Sequence, residues 1–436
     1  MNPVTRRNLS VTAIVTTTAL LFTACGGGSS SDSEEGGAQV EKFSGRGPIT
    51  YVAGKDTTGT IQQQIDVWNK QHPDEKVTFR ELPEDADAQR QLMIQNAETQ
   101  SDAYTVLSLD VVWTSEFAAN QWVEPLPQDE FPMDSYLQPA VDTGMYRGGF
   151  YSVPMNGDGG LLYYRTDLLK KAGIDSPPTT WDEMQADCDK VLKLPEAKGM
   201  SCYAGQFDKY EGLTVNFSEA VNSAGGEVVD DQGNPQVDSP EAKEGLDTLV
   251  QGFKSGTIPR AALTYQEETG RVAFQSGKLV FHRQWPYQYA LANATDGSSK
   301  VAGKFDVAPL PGIADPGGVS SLGGHNLAIS SYGKNKATAI DFIKYFTSEK
   351  NQRQQLNLNS LAPTIETIYD DPALVKKFPY LPALQDSIET AEPRPKFVEY
   401  GDATAAIQEA AYGAISGEMS TDEAMSQLQQ QLSGMR

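Results

Sequence analysis

The sequence predicts an α/β protein of two or three domains, and three observations carry that prediction. From residue 46 onward, short apolar runs alternate with longer stretches of helical periodicity, the pattern of strands covered by helices. A length of 436 residues exceeds what one core usually serves. A composition of 39% hydrophobic and 21% charged residues is that of an ordinary folded chain and excludes collagen, disulfide-dense mini-proteins and bulk disorder.

Taken in order, residues 49–53 read as a strand and residues 54–58 as a loop and helix cap. Ile61, Ile65 and Trp68 then recur at helical spacing until Pro73 stops the run. Residues 77–79 form a second short strand and residues 85–99 a helix. Residues 105–109 are a buried strand ending on Asp110, and residues 150–154 another ending on Asn156. Residues 161–164 continue beyond it. The section from 166 to 302 is richer in helix. Its strand at 278–282 leads to Trp285-Pro286, where proline suits the first turn of a helix. Residues 305–309 pass through a Pro/Gly-rich stretch, 311–318, which reads as a crossing between domains, into a run at 323–329. Residues 339–346 are an amphipathic helix with Ile340, Ile343 and Phe346 on one face. The last hundred residues read as helices with loops, and no internal repeat is visible.

The N-terminus reads as a leader. Arg6 and Arg7 precede an uncharged apolar stretch at 11–24, too short to span a hydrocarbon layer of about 30 Å, so it is a signal-peptide core. The ending Leu21-Phe22-Thr23-Ala24-Cys25 resembles a bacterial lipoprotein box, which implies a lipidated Cys25. Phe22 departs from the branched aliphatic residue usual there, and a plain secretory signal is the alternative. A Gly/Ser/acidic stretch follows with nothing to bury, a flexible tether reaching about 25 Å for roughly 20 residues. Two thiols remain, Cys188 and Cys202, and in an exported chain a single leftover pair suggests a disulfide.

Charge narrows the partners. Against 35 basic residues stand 58 acidic ones, a formal charge of −23, and loss of the leader with Arg6 and Arg7 makes the chain more acidic still. Such a chain repels phosphate backbones and anionic membrane surfaces, so nucleic acid is not expected and the ligand is neutral or cationic.

Asp56, Asp110, Asn156 and Trp285 each stand just past an apolar run, where ligands of open α/β sheets collect. Singly each has a plainer role: Asp56 as a helix cap, Asp110 as a partner of backbone amides, Asn156 in a turn with Gly157, Trp285 in a core. Gly323-Gly324 lets backbone amides approach a ligand, or makes a tight turn. Glu267 and Glu268 precede a helical stretch at 270–275, and either reaches a ligand or caps it. Arg394, between Pro393 and Pro395, is held extended with few neighbours, which suits a guanidinium presented in one orientation; the alternative is a surface ion pair. Carboxylates, an amide and a guanidinium match the vicinal hydroxyls of a sugar, while an indole covers its C–H face. With only three histidines and no HExxH, GxSxG, Walker loop or GxGxxG, neither catalysis nor a metal or cofactor is expected. A carboxylate pair for glycoside hydrolysis stays open.

The segment Leu109-Asp110-Val111-Val112-Trp113-Thr114-Ser115-Glu116-Phe117-Ala118, followed by Trp122, resembles the extracellular solute-binding proteins of carbohydrate ABC importers. Among them it looks closest to trehalose-binding lipoproteins of actinobacteria. The likeness continues through Val153-Pro154, Asn156, residues 162–165, Pro177-Pro178-Thr179-Thr180-Trp181, residues 267–277, Trp285-Pro286, residues 323–328 and Arg394-Pro395. It implies a periplasmic-binding-protein-like fold (type II), two hinge-linked α/β lobes closing over one sugar. On this resemblance we expect a signal peptide at 1–24 and a lipidated tether at 25–45. A first lobe is expected at 46–158 and 309–352, and a second at 159–308 and 353–436. It implies sugar contacts at Asp110, Asn156, Glu267, Trp285, Gly324 and Arg394, with Asp56 at a first-loop position where relatives vary and Glu268 competing with Glu267. The implied function is capture of a disaccharide, trehalose first, and its delivery to permease subunits by a monomer anchored outside the cytoplasm. Maltose or maltodextrin binding is the nearest alternative.

Overall fold

A computed structural model of the chain describes residues 43–56, 58–230 and 232–435. The expected signal peptide, Cys25 and nearly all of the expected tether lie outside them.

The first sheet begins with β1 (Ile49–Ala53), β2 (Val77–Glu81) and β3 (Val106–Asp110), paired in parallel with β1 in the centre. Helices Thr60–Gln71 and Ala86–Glu98 make the connections. β1 is almost wholly buried, as a strand covered on both faces must be. In the first helix Ile65 and Trp68 turn inward, and in the second Asp85 accepts from the Ala88 amide and caps its start. A small hairpin, β4 (Met145–Tyr146) and β5 (Gly149–Phe150), precedes β6 (Ser152–Asp158). β6 joins this sheet only through β11 (Ser321–Ile329), which returns from far along the chain and lies antiparallel to both β3 and β6.

The second sheet has the order β10-β7-β9-β8, from β7 (Leu161–Tyr164), β8 (Ser201–Ala204), β9 (Leu279–Gln284) and β10 (Asp306–Ala308). Helices Glu211–Ser223 and Pro240–Ser255 belong to this half, and the late helix Tyr400–Ser416 packs on both. The fold is therefore a two-lobed α/β structure. The chain passes between its lobes at residues 159–160, at 309–320, and after β12 (Glu392–Pro393), which pairs in parallel with the start of β11.

Five local expectations change. β6 does not end on Asn156 but runs through it to Asp158, and Gly323-Gly324 lies inside β11, which excludes the alternative of a tight turn. Pairing of β6 with β11 continues past the apolar pattern, with a register shift at His325/Asn326, because the polar residues there line a cavity and not the bulk solvent. Glu267 and Glu268 form the first turn of helix Glu267–Gln275, and Pro286 precedes helix Gln288–Ala292 instead of opening it. The expected boundary at 352/353 falls inside helix Glu349–Asn359, which packs against Thr60–Gln71, Lys336–Phe346 and Gln288–Ala292.

Cys188, on helix Trp181–Val191, forms a disulfide with Cys202 of β8, their Cα atoms 5.5 Å apart. Closing a loop of this length removes unfolded-chain entropy equivalent to about 3 kcal/mol. The double substitution C188S/C202S should lower unfolding stability by an amount of that order in urea titration. An unchanged midpoint would show that the bond does not hold the second lobe together.

Candidate functional site

All seven residues singled out as ligand contacts line one cavity of about 280 Å³ between the two sheets. The floor is built by strand register. Asp110 at the end of β3 stands opposite His325 of β11, and His325 stands opposite Asn156 of β6. Gly324 pairs with Gly157 at φ +109°, and a Cβ there would lie 2.1 Å from the Asn156 carbonyl oxygen. Only glycine fits that position. Next to it, a Cβ on Gly323 would meet the Trp285 ring at 2.7 Å, so this glycine lets the indole close onto the strand.

Arg394 differs most from expectation. It has neither few neighbours nor a surface partner: its side chain is 2% exposed and ion-paired twice. Nη2 donates to Asp110 Oδ1 at 2.6 Å, and Nη1 donates to Glu211, the first residue of helix Glu211–Ser223. Tyr400 Oη also donates to Glu211, as does Thr404 Oγ1 at 2.8 Å. Burial pushes the Glu211 carboxyl above its ordinary range, opposed by the Arg394 charge.

Asn156 Nδ2 donates to Asp158 Oδ2 at 3.0 Å, while its own Oδ1 is buried with no protein partner. Arg394 Nε and Trp113 Nε1, both from cavity-lining residues, are in the same position. Three unmatched polar atoms around one cavity are what a hydroxyl-rich ligand or ordered water would satisfy. Burial pushes Asp158 up to about 7. It also lowers His325, which keeps that imidazole neutral.

The opposite wall comes from the second lobe. Trp285 follows β9, and the Arg283 guanidinium lies 3.8 Å from the centre of its ring. Arg283 is itself fully buried and held by Glu219 at 2.8 Å. The two glutamates of helix Glu267–Gln275 divide their tasks. Glu268 is committed to Arg271 at 2.9 Å and to Tyr287 at 2.8 Å, whereas the Glu267 carboxylate accepts from Tyr210 Oη, at 2.7 Å. Burial raises the Glu267 carboxyl. Asp56 lines the cavity mouth, but its carboxylate already accepts from the Ile61 amide at 2.9 Å and from Thr58, which makes it a cap for helix Thr60–Gln71.

Glu211, Asp158, Arg283 and Trp113 were not singled out from the sequence. Asp158 had a signal, the polar alternation Asn156-Gly157-Asp158 continuing a strand. Glu211 had none, because its partners lie 183 and 189 positions away. Among the described residues no group of three His, Cys, Asp or Glu side chains is placed to hold a metal, and no helix is long and apolar enough to cross a membrane.

Comparison with known proteins agrees with this architecture. The model of the bacterial extracellular solute-binding protein family matches residues 54–353, and the chain belongs to that family. A probable ABC transporter-binding protein of Deinococcus radiodurans is 33% identical over 382 residues, covering 85% of this chain and 89% of the relative. The mannitol-binding protein of Pseudomonas aeruginosa is 24% identical over 396 residues, covering 85% and 88%. Among solved structures, maltose-bound MalE3 of T. maritima superposes with a TM-score of 0.84 at 32% identity, covering 88% of this chain and 98% of that one. The fold is thus that of periplasmic binding proteins, and the family places the chain outside the cytoplasm.

The Asp158 carboxyl gives a test of the electrostatics. The unfolded chain releases this proton near the ordinary carboxylate value, while the folded chain keeps it up to about pH 7. Folding therefore takes up a proton between about pH 5 and pH 7, and stability falls as pH rises through that window. Asp158→Asn should gain stability relative to wild type at pH 8 and lose that advantage at pH 5, in urea titrations. An equal difference at both pH values would show Asp158 ionised throughout.

Proposed function

We propose that the protein captures a glucose disaccharide, trehalose first, by closing its two lobes over the sugar and presents the closed form to the permease of an ABC importer. The observation that carries this reading is the convergence of Asp110, Asn156, Gly324 and Arg394 with Glu267 and Trp285 on one cavity between the lobes. Planar carboxylate, amide and guanidinium groups suit vicinal hydroxyls, and the Trp285 indole suits the C–H face of a pyranose. Hydrogen bonds from charged groups to a neutral ligand contribute about 1.5–3 kcal/mol each, so a few of them suffice for micromolar affinity. Membership of an extracellular solute-binding family supports capture and release rather than turnover. Lipidation at Cys25, with the acidic tether behind it, would hold the monomer at the membrane beside its permease.

Maltose is the second reading, favoured by the likeness to maltose-bound MalE3. Isothermal titration with trehalose, maltose and sucrose separates the two. We expect micromolar or tighter binding of trehalose, lost at least tenfold in Asp110→Asn and in Trp285→Ala. Stronger maltose binding would reassign the ligand, and no heat with any of the three would overturn the disaccharide reading. Release of free glucose on incubation would point to a hydrolase.

A further inference from the structure

The contact between Arg394 and Glu211 extends the proposed function inward, to a residue behind the ligand. Glu211 is 3% exposed, and three donors from the end of the chain fix its carboxylate: Arg394, Tyr400 and Thr404. Tyr400 and Thr404 belong to the first turns of helix Tyr400–Ser416, which follows Arg394 after five residues of connecting chain, so this helix and the guanidinium are tied to one anchor. The second nitrogen of the fork reaches the other lobe, donating to Asp110 Oδ1 at 2.6 Å, and leaves Nε buried without a partner. Asp110 belongs to the first sheet, whereas Glu211 starts a helix of the second lobe. The fork is thus braced from both sides only while the lobes are together.

We infer that Glu211 is a positioning residue for Arg394, setting the plane of its guanidinium in the closed form so that Nε and the shared Asp110 face the sugar. This inference rests on the reading of the cavity as a sugar site. It explains why an ionic triad is buried here although such groups are expensive to desolvate. Asp87 and Asp110 from the first lobe, also near Glu211, are of like sign, so among the described residues Arg394 is the cation that pairs with it. A ligand that bonds to a fork completed by closure binds the closed form better than the open one, which is the differential affinity that a population shift requires.

The test is a double-mutant cycle by titration calorimetry with trehalose and maltose, using Glu211→Gln and Arg394→Gln, with thermal midpoints recorded for each protein. Glu211→Gln should weaken binding at least tenfold in the wild-type background and less than twofold in Arg394→Gln. Equal losses in both backgrounds would overturn the inference. Arg394→Gln binding as tightly as wild type would sink the sugar-site reading instead. The crystal structure of sugar-bound Glu211→Gln should show the Arg394 fork turned away from Asp110 Oδ1; a fork left in place in the closed form overturns the inference. Should Glu211→Gln fold poorly, Tyr400→Phe, which removes one hydroxyl from the anchor, should give the same direction with a smaller loss, and unchanged binding in it counts against the proposal.

Discussion

A single buried guanidinium is the constraint on which the rest of this cleft depends. Arg394 lies between a carboxylate of the first sheet and one from the second lobe, and all three groups are largely withdrawn from water. Removing one member of such a set leaves an uncompensated buried charge, worth about 3–5 kcal/mol of destabilisation, so the arrangement persists only when every member is present. The backbone reflects that requirement. Pairing of β12 with the start of β11 delivers Arg394 to the floor of the cleft, and the helix that follows returns Tyr400 and Thr404 to Glu211.

The charge pattern of the cavity follows the same economy. Acidic side chains outnumber basic ones in its lining, yet most are engaged before any ligand arrives. Asp56 accepts from backbone amides, Glu268 from Arg271 and Tyr287, and Asp110 with Glu211 from Arg394. Asp158 and Glu267 have no cation of their own, and burial raises both. Their proton occupancy therefore depends on how dry the cleft is. A strongly acidic chain can thus hold a polyol without presenting a field of bare carboxylates to it.

The α/β class, most of the strands and the placing of Asp110 and Trp285 at or just past strand ends were legible in the sequence because local patterns carried them: apolar runs of strand length ending in a polar or aromatic residue. Legibility failed where long-range pairing overrode the local pattern. Asn156 and Gly324 look like turn residues beside glycine, but β11 arrives from far along the chain and draws both into one ladder. Arg394 between two prolines looks solitary, and only the return of Asp110 and Glu211 in space buries it. The plain alternative for Asp56, a helix cap, describes what its carboxylate does. Glu267 and Glu268 cannot be told apart by position; the difference is that Arg271, one helical turn on, claims only Glu268.

The two walls of the cavity are rigid for different reasons, and this bears on how closure selects a ligand. On the first lobe, Asp110, His325, Asn156 and Gly324 occupy adjacent registers of three paired strands, so their spacing is set by the ladder itself. On the second lobe, the Trp285 indole is backed by Arg283, which is buried and fixed by Glu219 and Gln206. Movement of the ring toward Arg283 would therefore displace a side chain held in a buried ion pair. A Cβ on Gly323 of the first sheet would lie 2.7 Å from the same ring, so the two walls approach this closely only because the strand carries no side chain there. A cleft with one wall fixed by register and the other by a buried ion pair adapts little, and its selectivity must come from the geometry of the hydroxyls placed between them.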